Sequence, residues 1–255
     1  MQYFGILQFP YKFGKIILKM DLRLHRTKPT SDEGSLVRYR AGPDNSYDEV
    51  THMNADFAIN ELILETERLI LRPFQQSDLR DFYEYASVPG VGEMAGWQHH
   101  ESIEKSQEIL DLFIREDKTF AIVCKENNKV IGSLGVEKYG MEDALTEFVG
   151  YKGREIGFVL SKDYWGRGMM PEAVTAVMDY LFNDLSLDFL TCGYYDFNSQ
   201  SKCVQVKCGF QPYRKLNMDT RLGTTEPGVL NLLTNPNKDI SFVFSHPETL
   251  IYQTK

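Results

Sequence analysis

Between Glu155 and Ala173, an apolar strand-like run, Glu155-Ile156-Gly157-Phe158-Val159-Leu160, passes through Trp165-Gly166-Arg167-Gly168 into an apolar segment with helical spacing from about Met170 to Phe182. No other stretch restricts the fold as tightly. A strand that turns into a helix across two glycines leaves the unpaired N–H groups of the first helical turn beside the strand end, where the helix dipole also favours negative charge. Glycines 166 and 168 allow the backbone to approach a ligand closely, so a diphosphate-bearing ligand is the expectation. The same pattern also occurs as a plain turn before a helix. Neither nucleotide fingerprint is present, because the loop lacks both G-x-G-x-x-G and Gly-Lys-Ser/Thr.

Upstream and downstream, short strands alternate with helices. Arg68 to Phe74 alternates as a half-buried strand does, and Ser77-Asp78 offers caps for a helix through about Ala86. Ile103, Leu110, Phe113 and Ile114 gather near one face of a second helix over Ser102 to Asp117. Thr119 to Lys125 and Lys129 to Glu137, joined by Glu126-Asn127-Asn128, predict a hairpin, and a loop follows over Gly140 to Gly153. A strand over Asp188 to Tyr195, a helix over Ser199 to Lys207 and a strand over Phe210 to Leu216 complete an α+β series without an internal repeat.

The first sixty residues differ from the rest. They carry 8 Lys+Arg against 7 Asp+Glu, whereas Glu61 to Lys255 carries 20 against 29. The turn-forming clusters Thr30 to Ser35 and Ala41 to Ser46 have little apolar periodicity around them, so residues 1–60 are expected to be a poorly ordered extension and residues 61–255 the folded domain. A natural start at Met53 would leave the upstream residues outside the fold altogether.

Composition closes off several classes. Four cysteines without a C-x-x-C pair or a secretory leader read as reduced thiols of a cytoplasmic protein, and the scattered histidines 25, 52 and 246 give no metal-ligand spacing. A net charge of −8 argues against a nucleic-acid partner. No stretch reaches the roughly 18 to 20 uninterrupted apolar residues that span a bilayer, and Lys12, Lys15 and Lys19 interrupt the most apolar N-terminal segment. A serine nucleophile is disfavoured because there is no G-x-S-x-G elbow.

Glu155 to Ala173 resembles the acetyl-CoA-binding motif of the GNAT N-acetyltransferases, in particular the RimJ/RimL-like ribosomal-protein acetyltransferase branch. Three further segments agree in order and spacing. Ala95-Gly96-Trp97-Gln98-His99-His100-Glu101-Ser102 resembles the branch's Gly-Trp-x-Pro-His-x-Ser segment, with His99 where proline is usual. Val130-Ile131-Gly132-Ser133-Leu134-Gly135 resembles its third strand. Asn198-Ser199-Gln200-Ser201 and Lys207-Cys208-Gly209-Phe210 resemble its Asn-x-x-Ser and Lys-x-Gly-Phe pair. The match runs from about Leu62 to Leu216, and Asn217 to Asp239 departs from it.

The resemblance implies an acyl-CoA N-acyltransferase fold, a mixed and mostly antiparallel sheet flanked by helices, with acetyl-CoA as co-substrate and no metal. It places Phe158, Val159 and Leu160 along the pantetheine arm and thioester, Trp165, Gly166, Arg167, Gly168, Met169 and Met170 around the pyrophosphate, and Asn198 at the ligand. Trp97 and His100 fall where acceptor and thioester meet in this family. A lone tryptophan also serves as packing, and Arg167 as a solvated surface charge.

Acyl transfer from a thioester to an amine needs an unprotonated amine, a donor for the developing oxyanion and a proton for the departing thiolate. Strand alternation puts Glu155 on the face of Gly157 and Val159, where it is the candidate base; its plain alternative is a solvated strand-end carboxylate. A backbone N–H near Val159 is the expected oxyanion donor. Many family members supply the thiolate proton from a tyrosine seven residues after the asparagine, but Gln205 stands there, so Ser201 is the substitute, with helix-start hydrogen bonding as its alternative role. The expected acceptor is a primary amine of a small molecule or a protein N-terminus, and the fold leaves a homodimer open. Gln205 also motivates the rival reading of a non-catalytic acyl-CoA sensor, and the donor chain length is undetermined.

Overall fold

The computed structural model describes residues 38–40, 47–49, 55–138, 148 and 150–240, with residues 38–40 and 47–49 described by backbone alone. Most of the expected 1–60 extension, Met53 included, and most of the expected 140–153 loop lie outside the described residues. Residues upstream of Glu61 take part in the packing. The Ile59 side chain is buried, its N–H bonds the Asp117 carbonyl at 2.8 Å, and Phe57 tilts against Phe120.

Among the described residues, β1 (Arg38–Arg40) and β2 (Tyr47–Glu49) form a two-stranded antiparallel sheet. The main sheet has eight strands: β3 (Leu64–Glu65), β4 (Leu69–Pro73), β5 (Thr119–Cys124), β6 (Lys129–Glu137), β7 (Gly153–Leu160), β8 (Phe189–Tyr195), β9 (Gln211–Asp219) and β10 (Thr225–Thr234). Their spatial order is β3-β4-β5-β6-β7-β8-β10-β9, and every neighbouring pair is antiparallel except β7 with β8. The helices are α1 (Leu79–Ala86), α2 (Ile103–Glu116), α3 (Met169–Asp179) and α4 (Ser199–Lys207).

Local chemistry sets the boundaries. The Ser102 hydroxyl caps α2 by accepting from the Lys105 N–H at 3.3 Å, and Asp117 ends it in the left-handed conformation. Asn128, with φ of 57°, closes the β5–β6 hairpin. The helix expected to run to Phe182 instead relaxes after Asp179 into a π-helical turn, Tyr180–Asp184. Asn235 supports that turn by donating its amide to the Phe182 and Leu187 carbonyls. Four strands go beyond the sequence reading: β1 and β2, which fall within the expected 1–60 extension, β3, and β10, which lies between β8 and β9.

Alternation divides the sheet into two faces. Leu69, Leu71, Phe120, Ile122, Leu134, Val136, Ile156 and Leu160 pack with Met169, Ala173, Val174 and Val177 of α3. On the opposite face, Ala121, Val123 and Val130 pack with Phe82 and Tyr85 of α1 and Leu110 of α2. Glu155 is buried on β7 opposite Glu137 of β6, and both are in register with Gly135–Gly157 and Ser133–Val159 on the α1/α2 face. Among the described residues, no helix is long and apolar enough to cross a membrane.

Candidate active site

The parallel pairing of β7 with β8 stops early. Gly153, Arg154 and Glu155 pair with Phe189, Leu190 and Thr191, after which the two strands separate. From Ile156 to Leu160 the edge of β7 away from β6 meets no strand, which leaves ladder hydrogen-bonding groups for a ligand. Asn198 and Ser201, at the start of α4, stand in the opening.

Two adjoining clefts fill this split. One, of about 200 Å³, is lined by Phe158, Val159, Leu160, Trp165, Gly166, Gly168, Met169 and Met170, with Asn198, Ser201 and Lys207 opposite. The second, of about 80 Å³, extends towards Glu155, Glu137, Ser133 and Thr119 and is bordered by Tyr194 and Tyr195. Met94, Ala95, Phe158, Val159, Asn198 and Ser201 border both.

The glycine loop is built to leave amides open. Gly166 and Gly168 have φ of 75° and 76°, in the left-handed region that disfavours side chains, and Gly168 immediately precedes the first residue of α3. The loop is fastened from outside by Arg68, whose guanidinium donates to the Arg167 carbonyl at 2.9 Å and to Glu172 of α3 at 2.7 Å. Glu172 also accepts from the Thr66 hydroxyl and the Arg68 N–H. Trp165 donates its indole N–H to the Leu160 carbonyl at 2.8 Å, closing the strand end. The Arg167 guanidinium stacks over Tyr164 and does not line the cleft, whereas Lys207, at the end of α4, does.

Glu155 is 6% exposed and lines the smaller cleft. Burial, and secondarily the charge of Glu137, push its carboxyl up to about 8. It is therefore not the solvated strand-end group that the sequence also allows. Cys192, behind it on β8, is held as a thiol by burial and by Glu155.

Asn198 accepts from the Ser201 N–H at 2.9 Å and donates its amide to the Met94 carbonyl at 2.8 Å, joining the α4 start to the segment before α2. Gln205 is fully buried and uses its whole amide. Its N–H₂ donates to the Gly193 carbonyl and the Ser201 hydroxyl, each at 3.1 Å, while its carbonyl accepts from Asn231 of β10 at 2.8 Å. This network could not be read from sequence, because Asn231 belongs to the strand that the sequence pattern did not disclose.

Trp97 and His100 are not brought to either cleft. Trp97 packs into the α1/α2 cluster, with its ring against Gly92. His100 is buried, stacks edge-on against Phe82, and shares a 2.7 Å hydrogen bond with Ser106. Burial first, then Lys105 and His99, lower it to about 4, so it stays neutral. Met94 and Ala95, which precede Trp97, border the clefts instead.

An acetyltransferase (GNAT) domain model matches residues 68–211. The chain is 29% identical over 153 residues to an uncharacterized N-acetyltransferase, p20, of Bacillus licheniformis, spanning 58% of this chain and 82% of that protein. The ribosomal-protein-S5-alanine acetyltransferase of Vibrio fischeri shares the fold with a TM-score of 0.51 at 19% identity, over 69% of this chain and 98% of that one. The spermidine N-acetyltransferase of Vibrio cholerae, solved with CoA and spermine, does so with a TM-score of 0.54 at 16% identity, over 67% and 97%.

Proposed function

We propose, proceeding from the fact that this chain belongs to the GNAT family of acetyltransferases, that it transfers acetyl from acetyl-CoA to a primary amine by direct attack in a ternary complex. The observation that carries this reading is the split between β7 and β8, with a buried carboxylate, Glu155, at its closed end. The residues present fit the co-substrate. The open edge of β7 at Phe158, Val159 and Leu160 suits the amides of a pantetheine arm, the amides around Gly166 and Gly168 suit a pyrophosphate, and Lys207 adds a cation to the same cleft.

Each chemical demand then falls to a residue of this chain. Glu155 in its ionised form takes the proton of the acceptor ammonium, directly or through water; a carboxyl pushed up to about 8 is a stronger base than an ordinary carboxylate, and its ionised share grows as pH rises towards 8. A β7 backbone N–H near Val159 receives the developing oxyanion. Ser201 protonates the departing thiolate. Gln205 donates to the Ser201 oxygen, which directs the hydroxyl hydrogen away from Gln205 and leaves it free for the cleft that Ser201 lines.

The acceptor is a primary amine of a small molecule or of a protein N-terminus. Two neighbours of the same fold are named for spermidine and for an alanine of a ribosomal protein, so the fold accommodates either class. Glu155→Gln tests the assignment. Turnover, followed by thiol release, is expected to fall about 10²- to 10⁴-fold with acetyl-CoA affinity nearly unchanged. Undiminished turnover would remove Glu155 from the mechanism.

A further inference from the structure

We propose that Glu137 is a positioning residue for this reaction, a second buried carboxylate that sets the pH at which Glu155 works as a base; the inference rests on the assignment of Glu155 made above. Glu137 and Glu155 are directly opposed in the β6–β7 register. Such partners have Cβ atoms about 4.5 to 5.5 Å apart on one face of the sheet. Both side chains line the smaller cleft, at 4% and 6% exposure. A Cβ at Gly135, the next residue inward on that face, would lie 2.9 Å from Glu137 Oε1, so the glycine leaves room for the carboxylate. Two carboxyls this close, with little water, do not both ionise readily.

Lys118 decides which of them holds the charge. Its ammonium lies 2.6 Å from Glu137 and 2.8 Å from Glu116, and it does not bond Glu155. Burial alone would depress Lys118, but its two carboxylate partners raise it overall, so it remains a cation. Burial lifts Glu137, and Lys118 partly offsets that rise. Arg154, beside Glu155 on β7, favours ionised Glu137, and Asp56 is the other acid near that guanidinium. On β8, Tyr195 and Cys192 stay neutral because burial raises both, with Glu155 adding to the effect. The ion pair with Lys118 therefore favours charge on Glu137, and Glu155, which has no such cation beside it, is the carboxyl pushed up to about 8.

The test is Glu137→Gln, which removes the charge and preserves the shape. The Glu155 carboxyl, followed by carbon-13 NMR of glutamate-labelled protein, is expected to titrate about one pH unit lower. The acid limb of kcat/KM is expected to move down with it, and Glu137→Asp, which keeps the charge, to return both close to wild type. If Glu137→Gln does not fold, the reciprocal measurement serves: Glu137 must titrate lower in Glu155→Gln. A folded Glu137→Gln protein in which neither the Glu155 titration nor the acid limb moves would overturn the proposal. Failure of the underlying assignment shows itself separately, as full turnover in Glu155→Gln.

Discussion

Replacing Gln205 by methionine conserves volume while deleting every polar contact of a fully buried amide. The cost follows from what each former partner can do next. Ser201 borders both clefts and can turn to water, so it loses little. Asn231 cannot, being 1% exposed, with its carbonyl oxygen already lacking a partner and its amide donating to Gln205 at 2.8 Å. Gly193 also loses the amide that its carbonyl receives at 3.1 Å. One stranded side-chain amide at about 1 to 3 kcal/mol and one weakened carbonyl give a loss of about 2 to 4 kcal/mol. Against a total stability of roughly 5 to 15 kcal/mol this is readily measured as a lower urea midpoint at unchanged m. Replacing Asn231 by leucine in the same protein removes the stranded group, so the double variant should recover part of the loss. A single variant costing less than about 0.5 kcal/mol, or a double variant no better than the single, would refute the network as drawn.

Two further outcomes follow from the site. Because burial and Glu137 hold the Glu155 carboxyl near 8, the native state keeps a proton that the unfolded chain has released. This contribution to stability is complete below about pH 4.5 and is lost as pH rises towards 8, at up to about 1.4 kcal/mol per pH unit, and urea midpoints of Glu155→Gln should therefore fall less over that range than those of wild type. Gly168→Val should weaken acetyl-CoA binding about tenfold in a calorimetric titration while the far-ultraviolet circular dichroism stays native, because φ of 76° strains a β-branched residue although the nearest atom to a new Cβ lies 3.7 Å away. Native affinity in that variant would show that the loop amides do not bind the ligand.

Local pattern carried most of the fold. The Thr119–Cys124 and Lys129–Glu137 strands, the glycine turn and the Ser199–Lys207 helix are each specified by neighbours in sequence. Strand β10 lies in the stretch after Leu216 that departs from the resemblance, and it carries Pro227, Gly228 and Asn231, residue types depleted in strands. In the sheet, the Pro227 carbonyl accepts from the Asp196 N–H, and a Cβ at Gly228 would lie 2.5 Å from the Tyr194 carbonyl. Glu137 was legible as a strand end and nothing more, since its opposition to Glu155 is a matter of register between segments separated by a long connection. Trp97 and His100 had a sequence context suggestive of a site, yet His100 is held by Phe82 and by its bond to Ser106, and Trp97 packs against His100.

The central claim, that the split between β7 and β8 with its glycine loop holds the acetyl donor, is tested most directly by calorimetric titration of the full chain with acetyl-CoA, alongside free CoA, ATP and NAD. The account predicts selective binding of the two CoA species, on the order of micromolar, or about −8 kcal/mol. Folded protein that binds neither, or that binds ATP equally well, would contradict it.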